Sequence, residues 1–297
     1  MYAQSERGSI RGTVEDATGA VVPNAEVTAI NVATNVRTAT HSTESGNYNI
    51  PQLPPGSYTV VAERSGFKKT VLDNVLVQVA EVVGLDLRME VGQVNESVTV
   101  SASAAILQSE TSEVATDVNP RAYTDLPISS AGGARSSEAF MYLSPGVTSG
   151  GNSPNSTFDA HINGSQTLSK EMQIDGMSTQ IAEVQGDPRQ LTFPPDAVQE
   201  MSIMSSSYPA EFGNTGGGVE RFVFKSGTNG FHGSLYEFLR NTDFDARGFY
   251  NTSVAVHHEN EFGGTFGGPV LIPKLYNGRN KTFFFVNANE YKLRGGA

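Results

Sequence analysis

The sequence predicts a mainly β fold made of three successive parts. Short segments that alternate apolar and polar residues are separated by turn residues along most of the chain, and such segments are typical of strands. Glycine and proline are frequent, with 31 and 14 of the 297 residues. Few stretches carry the longer period of an amphipathic helix. These observations favour many strands joined by tight turns.

Residues 8–92 are predicted to form a β-sandwich, because short alternating strands follow one another at the spacing of that architecture. The alternation in the last strand places Val83, Leu85, Leu87, Met89 and Val91 on one face. Turns are expected at Asp16–Gly19 and at Pro54–Gly56. Two aromatic residues, Tyr48 and Tyr58, fall on inward positions, and we expect both to be buried.

Residues 93–230 are predicted to form an α+β domain. Helical turns are expected at Pro120–Leu126 and Ser136–Leu143, the second ending where Pro145 is unfavourable. The strands are expected at Thr157–Asn163, Glu171–Ile174, Glu200–Ser205 and Val219–Lys225. Asp175-Gly176 follows a strand and predicts a tight turn. Gly216–Gly218 lacks the lysine and the helix of a phosphate loop, so we interpret the three glycines as conformational.

Residues 231–297 are predicted to form the first strands of a larger β-structure. One strand starts near Phe231, a glycine-rich return strand covers Glu261–Pro269, and a third covers Lys281–Tyr291. In the third, Phe284, Val286 and Ala288 share one face while Asn287 and Asn289 share the other. This is the apolar-out, polar-in pattern of strands that meet lipid.

Charge and composition exclude several classes of function. The net charge is −11, and most of it lies in residues 93–230, which carry −9. An acidic chain lacks the basic surface that nucleic acid requires, so no nucleic-acid partner is expected. The acidic segment is either a solvated surface or an aid to attracting cationic ligands. No run of about 18 apolar residues predicts a transmembrane helix, and Met1–Gln4 is too short to identify a signal peptide.

The sequence offers no catalytic motif, so we expect a protein that is not an enzyme and that needs no cofactor. Cysteine is absent, which excludes disulfides, thiolate metal sites and a cysteine nucleophile. His257 and His258 point to opposite faces if they lie on a strand, which is unfavourable for a shared metal. Asp243 and Asp245 are too few carboxylates for a convincing calcium site. No metal site is therefore expected.

The N-terminal part resembles the carboxypeptidase regulatory-like domain. The matching pieces are Gly8–Asp16 (GSIRGTVED), Val22–Val27 (VPNAEV), Gly46–Tyr48 (GNY), Leu53–Tyr58 (LPPGSY) and Gly66-Phe67. The resemblance implies a transthyretin- or carbohydrate-binding-like sandwich. It implies no peptidase chemistry, since fold and function are separate questions.

The rest of the chain resembles the Oar-like TonB-dependent receptors, which are outer-membrane transporters. The matching pieces are Leu126-Pro127, Leu143–Val147, Ile162–Gly164, Ile174–Gly176, Asp196–Glu200, Tyr208–Gly213, Gly216–Val219 and Lys225–Gly233. The chain departs from the family pattern at Ile128–Ala134, which leaves the loop contacts there open. The resemblance implies a plug domain over residues 93–230 and the first strands of an incomplete transmembrane β-barrel over residues 231–297.

The resemblance also implies sites and partners. The segment that would pair with TonB by strand addition is Glu96, Ser97, Val98, Thr99, Val100, Ser101 and Ala102, although the same segment could simply be the first strand of the plug. The implied plug apex loops are Asn163, Gly164, Asp175 and Gly176. The implied plug–barrel junction is Gly216, Gly217, Gly218, Lys225, Gly227 and Gly230. The implied partners are TonB, outer-membrane lipid and a ligand of unknown class, such as a saccharide or a peptide.

The leading hypothesis is therefore ligand-gated uptake across the outer membrane of a Gram-negative bacterium, with the sandwich on the periplasmic side. The barrel strands number three, against about 22 in plugged transporters, so we expect the chain to be the N-terminal portion of a longer protein. The alternative hypothesis is a secreted or periplasmic carbohydrate-binding or adhesion module. In that case exposed Tyr48 and Tyr58 would form the binding platform.

Overall fold

The computed structural model describes residues 7–92, 97–101, 114–118, 134–148, 160–166, 169–179, 193–209, 212, 215–252, 254 and 256–295. These residues form 21 strands, named β1–β21 in chain order. Helical structure in the described ranges consists of short 3₁₀ segments, among them Ser137–Leu143, where the sequence predicts helix. No helix among the described residues is long and apolar enough to cross a membrane.

Residues 8–92 form the predicted sandwich. Its strands are β1 Gly8–Asp16, β2 Glu26–Asn31, β3 Arg37–His41, β4 Asn47–Leu53, β5 Gly56–Glu63, β6 Lys69–Val77, β7 Val82–Gly84 and β8 Leu87–Met89. One sheet has the order β4-β1-β7, with β8 continuing the pairing on β1. The other sheet contains β3-β2-β5-β6 in that order. The apolar faces of the two sheets enclose one core.

The sandwich core follows the predicted alternation closely. Tyr48 and Tyr58 are 4% and 2% exposed, and their hydroxyls donate to the carbonyls of Leu85 and Pro54 at 2.6 and 2.7 Å. The last predicted strand is divided into β7 and β8, and its final residue, Val91, is 74% exposed rather than buried. Because both tyrosines are buried, neither offers the aromatic platform of the carbohydrate-binding hypothesis.

The short strand β9, Ser97–Ser101, joins the sandwich and not the sheet that follows it. It pairs in parallel with β6, so the second sandwich sheet has five strands in the order β3-β2-β5-β6-β9. The sequence allowed two interpretations of this segment, a coupling segment or the first strand of the plug, and the pairing with β6 contradicts the second. Without β9, the backbone groups along the outer side of β6 at Lys69–Asp73 would lack these strand partners, which explains the pairing. Glu96 and Ala102 lie outside the described residues.

The second domain is organised around one five-stranded sheet, called the middle sheet here. Its part of the chain contains β10 Val114–Val118, β11 Val147–Thr148, β12 His161–Ile162, β13 Lys170–Ile174, β14 Met177–Ser178, β15 Val198–Ser206 and β16 Gly218–Phe224. The order in the sheet is β10-β15-β16-β13-β14, and β11 pairs separately with β12. Met172, Met201 and Phe222 are fully buried in the core on one face of the sheet. The predicted helical turn at Pro120–Leu126 lies outside the described residues.

The remaining strands form an antiparallel sheet, called the C-terminal sheet here. It has the order β17-β18-β21, with β17 His232–Asn241, β18 His257–Pro269 and β21 Phe283–Gly295. A small hairpin of β19 Leu271–Ile272 and β20 Tyr276–Asn277 lies between β18 and β21. The pairing runs without interruption, from His232 opposite Gly267 to Asn241 opposite His258 and from His257 opposite Gly295 to Pro269 opposite Phe283.

The two faces of the C-terminal sheet differ as the sequence predicts. Register places Phe266 opposite Val286 on the outer face, where Leu235 also lies, and these three side chains are 52%, 57% and 92% exposed. The other face carries Glu261, which is 3% exposed. The buried Glu261 therefore faces the rest of the chain, while the exposed Leu235, Phe266 and Val286 lie on the outside.

Candidate functional site

Arg135 lies just before the 3₁₀ segment Ser137–Leu143 and joins this segment to the inner face of the C-terminal sheet. Its guanidinium forms an ion pair with Asp196, with Nη2 to Oδ2 at 2.7 Å. It also faces Glu261 on β18, with Nε to Oε1 at 3.3 Å, and the backbone N–H of Arg135 donates to Glu261 Oε2 at 2.9 Å. The side chains of Arg135 and Glu261 are only 10% and 4% exposed. The buried Arg135 and Glu261 thus connect the second domain to the C-terminal sheet.

Two aromatic rings of β17 cover the same guanidinium. Its carbon lies 3.6 Å from the ring centre of Phe238 and 5.2 Å from that of Tyr236. The planar guanidinium is weakly hydrated and stacks on aromatic faces, so it tolerates this environment better than an ammonium group would. Strand alternation explains the arrangement, because Tyr236 and Phe238 are two residues apart and Phe238 pairs with Glu261.

Lys225 connects the end of β16 to the same cluster. Its backbone N–H donates to Ala197 O, and its Nζ donates to Asp196 O, both at 2.9 Å. Ala197 and Asp196 belong to the 3₁₀ segment Pro195–Ala197. Burial lowers the pKa of Lys225, while the nearby Asp196 carboxylate opposes that shift. Lys225, the first residue after β16, is therefore held where the chain passes to the C-terminal sheet.

Gly227 allows the chain to lie directly on the C-terminal sheet. A Cβ at this position would overlap the carbonyl oxygen of Phe284 and would lie 2.6 Å from that of Gly268. Gly230, three residues later, has open space where its Cβ would be. Between them, Asn229 donates from its backbone N–H to Ala33 O at 3.1 Å. The structure thus places Lys225, Gly227 and Gly230 at the passage between the two sheets.

The three glycines Gly216, Gly217 and Gly218 do not lie at that passage, which corrects the expectation from the sequence. They precede and begin β16, whose other end leads to Lys225, so about 20 Å of strand separates them from it. The N–H groups of Gly216 and Gly217 donate to Ser169 O at 3.1 and 3.0 Å. A Cβ at Gly218 would lie 2.8 Å from Met204 O. These glycines allow close packing at the far end of the middle sheet.

The structure places the two candidate plug apex loops at opposite ends of the middle sheet. Asn163 donates from Nδ2 to Ser205 O at 2.8 Å, at the same far end of the sheet. Asn163 and Gly164 both adopt positive φ, at 51° and 73°. This loop lies near the glycine triplet, because a Cβ at Gly217 would lie 2.6 Å from Ser165 Oγ.

Asp175 and Gly176 lie at the opposite end of the middle sheet. Both have positive φ, 46° and 78°, which forms the predicted tight turn between β13 and β14. The N–H of Asp175 donates to Phe222 O at 3.0 Å, and Asp175 Oδ1 accepts from the N–H of Phe224 at 3.1 Å. The separation follows from chain order, because the Asn163 loop precedes β13 and the Asp175 turn directly follows it.

The sandwich contacts the end of the middle sheet that carries Asp175. Gln199 Nε2 donates to Pro55 O at 3.1 Å, and Glu200 Oε1 accepts from Val79 N–H and Gln78 Nε2, both at 3.3 Å. Burial raises the pKa of Glu200 to about 7, and the nearby Asp117 and Glu81 carboxylates contribute. A cleft of ≈ 790 Å³ lies between these parts, and its lining includes Asp175.

Sequence reasoning missed the central residues of this site. Arg135, Asp196 and Glu261 lie in three separate segments, and their contacts span 61 and 126 residues of sequence. One signal was available, because strand alternation places Glu261 on the polar face of its strand. No pattern along the chain links that face to Arg135, which follows the segment where the sequence departs from the Oar-like pattern.

Comparison with known proteins gives two family matches. Residues 9–90 match the carboxypeptidase regulatory-like domain, and residues 223–297 match the outer membrane beta barrel domain. Over 93% of its length the chain is also 28% identical to the TonB-dependent transporter Oar of Myxococcus xanthus. The chain is similar to Oar-type TonB-dependent receptors. It spans about a quarter of that relative, with 26% of the relative covered.

Solved structures add little to this resemblance. The Bacillus anthracis TIE protein aligns with 29% of this chain and 17% of its own, at 21% identity and a TM-score of 0.26. Hydroxyquinol 1,2-dioxygenase from Pseudomonas putida aligns with 30% of this chain and 58% of its own, at 12% identity and a TM-score of 0.25. Scores this low carry no functional argument.

Proposed function

We propose that the chain supplies the sandwich, the plug and the first barrel strands of a TonB-dependent outer-membrane transporter. In this proposal residues 8–92 form the sandwich, 93–230 the plug and 231–297 the first barrel strands. Strand β9 lies within the plug range of the sequence but pairs with β6 of the sandwich. The Oar similarity supports the class of protein. The structural observation that carries the proposal is Arg135, held between Asp196 of the plug and Glu261 of β18.

The Arg135 cluster acts as a lock between the plug and the barrel wall. Uptake through a plugged barrel requires the plug to move or unfold locally, and any such movement must separate Arg135 from Glu261. Breaking this buried ion pair is costly because Glu261 loses its cation, whereas Arg135 keeps its pair with Asp196. The closed state is thereby stabilised until another source of free energy is applied, which in this proposal is TonB acting on the segment from Glu96 to Ala102.

The location of each part follows from its chemistry. The outer face of the C-terminal sheet, with exposed Leu235, Phe266 and Val286, faces outer-membrane lipid. The sandwich lies on the periplasmic side, where TonB reaches the coupling segment. The loop of Asn163 and Gly164 lies at the end of the middle sheet away from the sandwich contacts, so it is the better candidate for contact with an external ligand. That ligand is a small molecule, saccharide or peptide, and the proposed activity is transport, not catalysis.

Fractionation of cells that express the gene containing this chain tests the location. We expect the protein in the outer-membrane fraction, and recovery in the soluble fraction would contradict the proposal. Binding of the purified periplasmic domain of TonB to the 297-residue chain tests the coupling. Binding should be lost when residues 96–102 are deleted, whereas equal binding by the deleted chain would exclude this segment as the coupling site.

A further inference from the structure

A short hairpin lies at the end of the C-terminal sheet that is next to the sandwich. It covers residues 270–282, contains β19 and β20, and is called the rim hairpin here. Its base is closed where the N–H of Gly278 donates to Val270 O at 2.9 Å. Asn280 connects the base to the passage from the middle sheet, because its N–H donates to Asn229 Oδ1 at 2.8 Å. The rim hairpin is therefore held in a defined position on the molecule.

Three phenylalanines lie on the sheet just before the rim hairpin begins. The ring centre of Phe266 is 5.9 Å from that of Phe231 and 5.5 Å from that of Phe284. Phe231 and Phe266 are 56% and 52% exposed. Aromatic girdles flank the apolar band of transmembrane barrels at both membrane interfaces. Since β18 ends at Pro269, three residues after Phe266, the rim hairpin follows this aromatic cluster directly, at the level of the lipid headgroups.

The tip of the rim hairpin exposes apolar side chains on either side of a cation. Leu275 is 80% exposed and Ile272 is 46% exposed, and the N–H of Leu275 donates to Ile272 O at 3.0 Å. The central residues of this turn are Pro273 and Lys274. Lys274 has a φ of 63°, a left-handed conformation that glycine or asparagine adopts at lower cost. Exposed apolar residues beside a lysine are typical of segments that lie in a membrane interface.

The rim hairpin is basic, although the whole chain carries a net charge of −11. Lys274, Arg279 and Lys281 are exposed, and residues 270–282 contain no aspartate or glutamate. In the described part of the chain, neither Lys274 nor Arg279 pairs with a carboxylate. Lys281 lines the cleft beside the sandwich. Each lysine or arginine near an anionic membrane surface strengthens attachment about fivefold, so the two unpaired cations are complementary to lipid phosphates.

We propose that the rim hairpin binds the headgroups of anionic phospholipids in the leaflet that faces the periplasm. Lys274 and Arg279 contact the phosphates, and Leu275 enters the boundary between headgroups and acyl chains. This inference rests on the proposed function, which places the C-terminal sheet in the outer membrane. Because Asn280 of the hairpin is hydrogen-bonded to Asn229, lipid binding also holds the passage between the plug and the barrel at a fixed depth relative to the bilayer.

Vesicle binding by the purified 297-residue chain tests the proposal. The probes are vesicles of phosphatidylcholine and vesicles in which about a third of that lipid is replaced by phosphatidylglycerol, titrated at low ionic strength. The test variant is Lys274→Gln with Arg279→Gln. The matched control is Arg37→Gln with Arg88→Gln, which removes the same charge from two exposed positions on the sandwich.

We expect the wild type and the control to bind the anionic vesicles at least about tenfold more tightly than the neutral vesicles, and the hairpin variant to lose most of this preference. A wild type without the preference would overturn the headgroup site and leave the lipid-facing sheet intact. An equal loss in the control would show a general effect of charge and would also overturn the site. Failure of the wild type to bind either vesicle would overturn the membrane location and this inference together.

A tryptophan at the tip gives a second measurement, because the chain contains no tryptophan of its own. The fluorescence of Leu275→Trp should shift to shorter wavelength when anionic vesicles are added, since the indole ring leaves water for the membrane interface. Leu76→Trp, at a position of β6 that is 52% exposed, is the control and should keep its spectrum. An unchanged Leu275→Trp spectrum would overturn the proposal. A shift that appears without vesicles as the protein concentration rises would place a second copy of the chain on the hairpin and would also overturn it.

Discussion

Single residues decide how closely the parts of this molecule approach each other. Arg135 has its charge compensated by Asp196 and Glu261, and Gly227 has no side chain where the chain crosses the C-terminal sheet. Glu200 keeps a carboxyl group in the contact between the sandwich and the middle sheet. Each of these residues leads to a prediction that a single substitution can test.

Replacing Arg135 with alanine should destabilise the 297-residue chain by about 3–5 kcal/mol, because Glu261 would remain buried without its cation. The measurement is urea unfolding in detergent. The control is Arg240→Ala, whose ion pair with Asp245 is far more exposed, with side chains 51% and 28% accessible. That change should cost about 0.2–1 kcal/mol. Equal losses for the two variants would argue against a lock at Arg135.

Replacing Gly227 with alanine should cost about 1–3 kcal/mol, since the new methyl group would press on backbone carbonyls that cannot rotate away. Gly230→Ala is the matched control, because its Cβ would point into open space, and it should change stability by less than about 0.5 kcal/mol. Thermal unfolding of both variants checks the prediction. A harmless Gly227→Ala would mean that the chain and the C-terminal sheet do not approach this closely.

The contact of Glu200 with the sandwich should strengthen at lower pH. Burial raises the pKa of Glu200 to about 7 from an ordinary 4.5, so the folded chain takes up a proton that the unfolded chain does not hold in this window. The stability contribution is therefore greatest below about pH 4.5 and is lost as the pH rises through 7. Around Glu200 the other titratable groups are Glu81 and Asp117, both acidic, which favours the protonated form.

The substitution Glu200→Gln removes this titration. It should raise the melting temperature at pH 8 and reduce the difference between pH 5 and pH 8. Glu44→Gln removes the same charge at an exposed position and serves as the control. A melting temperature at pH 8 that is unchanged or lower in Glu200→Gln would show that the charged carboxylate is the favoured form in this contact.

At the scale of elements, the middle sheet depends on a charged pair between its parallel strands. Lys170 of β13 and Glu220 of β16 are 2% and 0% exposed at the side chain, with Nζ 3.2 Å from Oε1. Glu138, from the 3₁₀ segment Ser137–Leu143, lies 3.5 Å from the same Nζ. The Asn163 loop precedes β13 and the Asp175 turn follows it, so an ion pair that holds β13 on β16 supports the geometry on which the proposed ligand-facing end depends.

Lys170→Met should destabilise the chain by about 3–5 kcal/mol, because it leaves the Glu220 carboxylate buried without a cation. Replacing both residues, Lys170→Met with Glu220→Met, should recover most of that loss, since apolar residues of similar volume avoid the cost of burying charge. Urea unfolding of the two variants gives the comparison. If the double variant is as unstable as the single one, the pair provides geometry that methionines cannot replace.

At the scale of the whole molecule, the C-terminal sheet leaves a large apolar face that the rest of the described chain does not cover. Leu235 is 92% exposed and Leu239 60%, and both lie on β17. Open strand edges and exposed apolar faces lead to association with lipid or with other chains. We therefore expect the purified 297-residue chain to float with phosphatidylcholine vesicles in a density gradient.

Val286→Lys should reduce that flotation, because a charge on the lipid-facing side of a strand costs up to about 2–4 kcal/mol, depending on depth. Asn277→Lys adds the same charge in β20, outside the C-terminal sheet, and should float like the wild type. The fraction of protein in the floating layer is the readout. Equal flotation of Val286→Lys and the wild type would place this face away from lipid.

Much of the fold was predictable because local alternation and turn chemistry act within a few residues. The burial of Tyr48 and Tyr58, the tight turn at Asp175-Gly176 and the two faces of the C-terminal sheet all follow from such patterns. The site was less predictable. The Oar-like resemblance implied that the Gly216–Gly218 triplet lies at the junction, but the extended strand β16 moves the chain about 20 Å in seven residues.

The sequence by itself determined that this is a β protein with a sandwich, a junction rich in glycine and an outward apolar face, because strand period and turn residues are properties of short segments. Only the tertiary structure decided that β9 pairs with β6, that the two loops point to opposite ends, and that Arg135 reaches Glu261. Strand alternation fixes which residues share a face. It does not specify which distant strand lies alongside, because that choice depends on edges and buried charges that only the assembled chain brings together.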